Sequence, residues 1–154
     1  LGLYDGFLRA SEEYEGYVGG KLAQYNLGIS YLNNKEYTLA IETLEKVNFE
    51  DELLGTITLG AIGDAFLQLG SVNDALENYE RAYNRKENEL TTPIYLMKAA
   101  LCLEILEDYE MAINLYRDVM QKYPLSSVAN NAEKYMESLL LGKPVYQFEK
   151  EVSE

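Results

Sequence analysis

The chain has 154 residues, is 47% hydrophobic and 25% charged, and sets 26 acidic against 13 basic residues for a net charge of −13. This composition provides apolar material for one compact domain or one short repeat array and excludes disorder of the whole chain. The charge excludes nucleic acid as a partner, because that needs a basic footprint, and an anionic membrane surface would repel the domain. What remains is a solvated acidic surface or partners with basic segments.

Residues 4–14, with Tyr4, Phe7, Leu8 and Tyr14, carry the spacing of one helix, placed as the second helix of an incomplete preceding repeat. Gly16, Gly19 and Gly20 are expected to break it from the first full unit. In that unit Leu22, Tyr25, Ile29 and Leu32 recur at helical spacing, and after the turn-type cluster Asn33-Asn34-Lys35 so do Tyr37, Ala40, Ile41, Leu44 and Val47. Two more helix pairs come after it, with turns at Gly70-Ser71 and at Glu107-Asp108. Ser126 or Ser127 is placed to N-cap a last helix that runs to about Leu141. Gly142 and Pro144 are its stop signal, and Val145-Tyr146-Gln147-Phe148 leads into an acidic tail expected to be mobile.

The three pairs repeat one another. A small residue is followed three positions later by a bulky one in Gly28/Tyr31, Gly63/Phe66 and Ala100/Leu103. Twelve positions after each small residue stands an alanine: Ala40, Ala75 and Ala112. Leu44, Tyr79 and Tyr116 follow four positions later, then Val47, Ala82 and Val119. Gly28 to Gly63 spans 35 positions and Gly63 to Ala100 spans 37. A mid-helix glycine costs about 1 kcal/mol relative to alanine, so Gly28 and Gly63 require a compensating close approach of the facing helix. The capping helix at the end repeats the small/bulky pair as Ala132/Tyr135. Fourteen Tyr against four Phe and no Trp suit half-buried positions, with an apolar ring and a wet hydroxyl.

Over residues 21–124 this pattern resembles the tetratricopeptide repeat, down to the Tyr123-Pro124 that closes the third unit. The first two units lack that proline and carry Glu52 and Glu87 there, and they exceed the family's usual length, so the turns after Val47 and Asn84 are expected to be looser. The resemblance implies an all-α, right-handed superhelix of about eight helices. The implied layout is an N-terminal capping half repeat at 1–20, repeats at 21–54, 55–91 and 92–125, a capping helix at 126–142 and a tail at 143–154.

Little in the sequence supports chemistry. With no histidine, imidazole acid–base work, catalytic triads and imidazole metal sites all fall away. The single cysteine, Cys102, lies in the apolar run Ala99–Leu103, excludes an internal disulfide and reads as a buried inert thiol that leaves the redox compartment open. Gly60 and Gly63 form no phosphate-binding loop, because they lie mid-helix. The carboxylate clusters Glu50-Asp51-Glu52 and Glu104, Glu107, Asp108, Glu110 fall at helix ends and turns, where solvation is easy, and no calcium loop is present. The expectation is a non-enzyme without cofactor or metal.

In the family, ligand contacts come from the first helices of the units, which line the concave face. Carried over by position, these are Leu22, Tyr25, Ile29 and Asn33, then Ile57, Asp64 and Gln68, then Ile94, Met97, Lys98, Leu101 and Glu104. Where the family's peptide-carboxylate clamp places Lys, Asn and Arg, this chain has Tyr25, Ile29, Ala61, Ile94 and Lys98, so a chaperone-tail clamp is rejected. The implied groove is apolar and aromatic with acidic spots, suited to an amphipathic helix or an extended apolar segment with basic flanks. The segment around Tyr146 and Phe148 is a competing occupant, folding back onto the groove.

A narrower resemblance rests on the run Glu89–Tyr95, the phrase Leu59–Ala65 and the Gly19–Gly28 region. These are similar to bacterial envelope proteins with one N-terminal membrane helix and a periplasmic tetratricopeptide domain, linked to the secretion translocon and its chaperones. That implies an envelope-tethered adaptor with chaperone-like behaviour, whose partners are secretion machinery or client chains. It touches the membrane only through an N-terminal anchor that this chain lacks; the start at Leu1 is accordingly read as that of an excised piece. The alternatives are a cytoplasmic location and a structural self-association module that forms a homodimer.

Overall fold

The computed structural model describes residues 2–145, and side chains from residue 5 onward. Among these residues there is no strand, and the helices are α1 (Gly2–Glu13), α2 (Val18–Asn33), α3 (Tyr37–Leu44), α4 (Glu52–Gln68), α5 (Val72–Arg85), α6 (Thr92–Ile105), α7 (Tyr109–Lys122) and α8 (Ala129–Leu140). The expected all-helical array of about eight helices is therefore what the chain forms. It divides into two compact units, Leu1–Lys86 and Glu87–Glu154.

In the first unit α1 packs on α2, α2 on α3, α3 on α4 and α4 on α5. Its core holds Ala40, Ile41, Leu44, Ala61, Ile62 and Ala65, with Tyr25, Ile29, Tyr31 and Phe66 packed against them. In the second unit α6 pairs with α7 and α7 with α8. Here Ala99, Ala100, Cys102, Ala112, Tyr116 and Val119 have no exposed surface.

The repeated small residues work by close approach. A Cβ on Gly28 would lie 2.5 Å from Leu44 Cγ, and one on Gly63 would lie 2.6 Å from Tyr79 Cε1. Ala40, Ala75 and Ala112 are each wholly buried. The propensity cost of the glycines is thus offset by helices that meet with no gap.

One turn joins the two helices of each pair. Lys35, Gly70 and Glu107 hold left-handed backbone, with φ of +64°, +77° and +63°. The following amide in each case donates back to the last helical turn: Glu36 N–H to Tyr31 O at 2.9 Å, Ser71 N–H to Phe66 O at 3.0 Å and Asp108 N–H to Leu103 O at 2.9 Å. This is a Schellman cap made three times. Gly142 repeats it at φ +71°, with Lys143 N–H on Ser138 O at 2.9 Å. By its cap, α8 is thus in register with α2, α4 and α6. That register corrects the Ala132/Tyr135 pairing: Tyr135 takes the small position, edge-on to Tyr116 with ring centroids 6.0 Å apart, while Ala132 is buried one turn earlier.

Only glycine holds left-handed backbone without a Cβ penalty of about 1–2 kcal/mol. Glu107→Gly and Lys35→Gly are therefore expected to stabilise by about 0.5–1 kcal/mol each after the greater entropy of the unfolded glycine is subtracted. Gly70→Ala should destabilise by a similar amount. Urea denaturation midpoints check all three, and a lower midpoint for Glu107→Gly would contradict the cap assignment.

Elsewhere the structure departs from expectation. Gly19 and Gly20 lie inside α2, and Gly16 alone (φ +82°) makes the break from α1. Gly20 sits directly beneath the Tyr14 carbonyl, where no side chain fits. α3 ends at Leu44, so Val47 lies in the loop after it and not in the helix. The cause is tertiary: the loop delivers Phe49 into the core, 5% exposed and edge-on to Tyr25 at 6.0 Å, a position no continued helix reaches. Neither Ser126 nor Ser127 caps α8, which starts at Ala129 after Val128. Ser126 instead closes a turn on Tyr123 O at 3.0 Å, and its hydroxyl oxygen accepts only Val128 N–H, at 3.4 Å. The inter-repeat segments, residues 45–51 and 86–91, are longer than the intra-pair turns. Asp51 caps α4 by accepting Leu54 N–H at 2.8 Å, and Asn88 prepares the start of α6 by accepting Leu90 and Thr91 N–H at 2.9 and 2.7 Å.

Candidate functional site

α4 and α6 are buried around most of their circumference, so few positions on them reach solvent. On α2, Leu22 is 37% exposed, Tyr25 and Ile29 are half-buried against the core cluster, and Asn33 is exposed at the C-terminal end. Burial raises the Tyr25 phenol above its ordinary pKa. On α4, Ile57 is half-buried. Asp64 is also half-buried and accepts Tyr79 O–H at 2.6 Å, while Gln68 is exposed with its Oε1 3.4 Å from Tyr37 O–H. These side chains belong to the first unit, where α2 and α4 touch.

In the second unit Ile94, Lys98 and Leu101 are half-buried, and the Lys98 ammonium lies 5.9 Å from the centre of the Tyr95 ring. Met97 and Glu104 need correction. Met97 is 6% exposed and Glu104 is 1% exposed, so neither offers surface to a ligand. The helical period that placed them with Ile94 and Leu101 does not separate one side of α6 from the other, since both sides are packed.

Glu104 has a structural role instead. Its Oε1 accepts Tyr116 O–H at 2.5 Å, and its Oε2 accepts Val145 N–H at 2.8 Å. Donors on both oxygens are what make a carboxylate tolerable in a core. Burial first, then the bond to Glu104, pushes the Tyr116 hydroxyl far above the ordinary tyrosine range. The same unit holds Tyr123 O–H on Glu87 at 2.5 Å, with that phenol pushed up to about 12, again by burial first. The acidic run ending in Glu52 is likewise committed to structure, since Asp51 caps α4 and Glu52 pairs with Lys86. Tyr146 and Phe148, expected to compete for the groove, lie outside the described residues.

Among the described residues, no group of His, Cys, Asp and Glu is arranged to hold a metal ion, and no helix is long and apolar enough to cross a membrane. Sequence reading missed a recess of about 490 Å³ in the first unit, walled by the end of α3, the loop after it, α4 and α5. The sequence carried no signal of it, because the helical spacing runs on through Val47, past the end of α3.

Comparison with curated proteins gives no match. The family model described as Tetratricopeptide repeat matches residues 22–48 and 95–126. The first segment spans the α2–α3 pair and the second the α6–α7 pair. The α4–α5 pair lies outside both matches, yet its Gly63–Tyr79 contact copies the Gly28–Leu44 contact of α2–α3. Tetratricopeptide repeats generally mediate protein–protein interaction and scaffolding, as a non-enzymatic module. Among the described residues the chain is all-α, and its α2–α3 and α6–α7 pairs, which share one turn with the α4–α5 pair between them, are similar to the tetratricopeptide repeat.

Proposed function

We propose that the chain is a protein-interaction scaffold that takes an apolar helix or extended segment on the accessible side of its first helices. The observation that carries this reading is the apolar stripe of Leu22, Tyr25 and Ile29 on α2, which keeps accessible surface beside the polar Asn33 and Gln68. Ile57 and Asp64, both half-buried, belong to α4 of the same unit, which touches α2. Apolar burial supplies the affinity, at about 25 cal/mol per Å² before ordering costs. The net charge of −13 favours basic flanks and a salt-dependent association rate.

Leu22→Ala and Tyr25→Ala are the tests, read as dissociation constants for a partner captured from the native organism. Tyr25→Ala should weaken binding about tenfold or more at every ionic strength, as loss of an aromatic anchor does. Asp64→Asn should matter mainly at low salt. Because Tyr25 also packs on Phe49, each variant is first matched to the parent by circular dichroism and denaturation midpoint. Folded variants with unchanged affinity would refute the site.

A second reading, self-association, is favoured by Leu125, Leu140 and Leu141, which are 97%, 64% and 75% exposed. A mass in dilute solution equal to one chain rejects it. Tethering to a bacterial envelope, facing the periplasm with a chaperone-like role, is proposed from the sequence resemblance alone. Fractionation of the native protein tests the location, and suppression of aggregation of an unfolded client tests the role.

A further inference from the structure

We propose that the recess in the first unit is a binding site for a carboxylate borne on a short apolar body. It arises from a shortened helix. α3 has 8 residues, whereas its counterparts α5 and α7 have 14 each. Where the last turns of α3 would stand, residues 45–51 form a loop, and a recess of about 490 Å³ opens between that loop, α4 and α5. This is the size of a small-ligand pocket.

The walls have two characters. Leu44, Val47, Phe49 and Ile62 supply the apolar part. Asn78, Arg81 and Arg85, spaced to share one face of α5, supply the polar part, with Asn48 from the loop opposite. The chain's arginines are Arg9, Arg81, Arg85 and Arg117, so half of them line this one recess in a strongly acidic protein. Neither Arg81 nor Arg85 has an acidic partner within ion-pair distance among the described residues.

Arg85 donates to Phe49 O at 2.7 Å, and Arg81 reaches Asn78 Oδ1 only at 3.5 Å. A guanidinium carries several N–H donors, so most of the donors here remain available. Glu45 is the one carboxylate among the lining residues, against the two guanidinium groups. Guanidinium donors beside apolar walls match a carboxylate in charge and hydrogen bonding, and the apolar walls match an aliphatic or aromatic tail. Two sources share that chemistry: the C-terminal residue of a peptide and a free carboxylic acid. The recess shares no lining residue with the first-helix stripe.

Calorimetric titration of the 154-residue chain decides the matter, with three probes: hexanoate, an acetylated tripeptide ending in leucine with a free carboxylate, and the same tripeptide as its amide. Saturable binding of at least one carboxylate probe is expected, with none for the amide. Arg81→Gln should weaken it at least tenfold while leaving the thermal midpoint in place, because Arg81 is exposed and makes only one long hydrogen bond. Arg81→Lys should recover part of the loss, and Arg117→Gln, in the other unit, should bind as the parent does. Binding of the tripeptide supports a peptide terminus as the source, and binding of hexanoate alone supports a free acid. Absence of saturable heat with both carboxylates, equal binding of the amide, or an unchanged Arg81→Gln would overturn the proposal. None of these results bears on Leu22 or Tyr25, so failure here is distinguishable from failure of the scaffold reading.

Discussion

Tyr79→Ala is expected to be among the most damaging single substitutions in the chain, costing about 3–5 kcal/mol. Tyr79 has no exposed surface, and its ring fills the space left by the missing Cβ of Gly63. Truncation leaves that space facing a glycine, which has no side chain to relax into it, so the cost falls toward the upper end of the range. Against a total stability of about 5–15 kcal/mol, this is a large share. Tyr79→Phe separates ring from hydroxyl. It keeps the packing and removes the 2.6 Å bond to Asp64, which is half-buried and still reached by water, so about 0.5–1.5 kcal/mol is expected. Urea denaturation of both variants gives the comparison. Equal losses for the two would mean that the hydroxyl, and not the ring against Gly63, carries the contact.

Ala75→Leu should cost about 1–3 kcal/mol, and more if α4 and α5 cannot separate. Ala75 is wholly buried at the start of α5, at the position that Ala40 and Ala112 occupy in the other pairs. The added side-chain carbons must enter a close contact, because Ala75 is wholly buried and Tyr79, one turn on, already fills the space beside Gly63. Leucine and alanine have similar helix propensity, so the loss reports packing and not helix formation. Asn73→Leu, on the exposed face of the same turn, is the control and should stay within about 0.5 kcal/mol of the parent. An unchanged midpoint for Ala75→Leu would show that the recurring alanine is not a packing position. The same substitution at Ala40 should cost as much, since the repeat relation makes the two sites equivalent.

The sequence by itself determined the local and periodic part of this protein. The recurrence of a small residue, an alanine twelve positions on and a large group after it located every helix pair, and Asn33-Asn34-Lys35, Gly70-Ser71 and Glu107-Asp108 marked the turns within them. Those features are legible because helix period, cap chemistry and close approach act through residues a few positions apart. Tertiary structure decided what depends on distant neighbours. Phe49 ends α3 early because its ring has a place beside Tyr25, twenty-four positions back in the chain. Gly19 and Gly20 stay helical because α2 passes beneath the end of α1, where Gly20 meets the Tyr14 carbonyl. Met97 and Glu104 share a helical face with Ile94 and Leu101 in projection, yet they are buried, because α6 is packed on more than one side and its period names no outer face. Glu104 finds its two donors on Tyr116 and Val145, residues that only the folded chain brings to it.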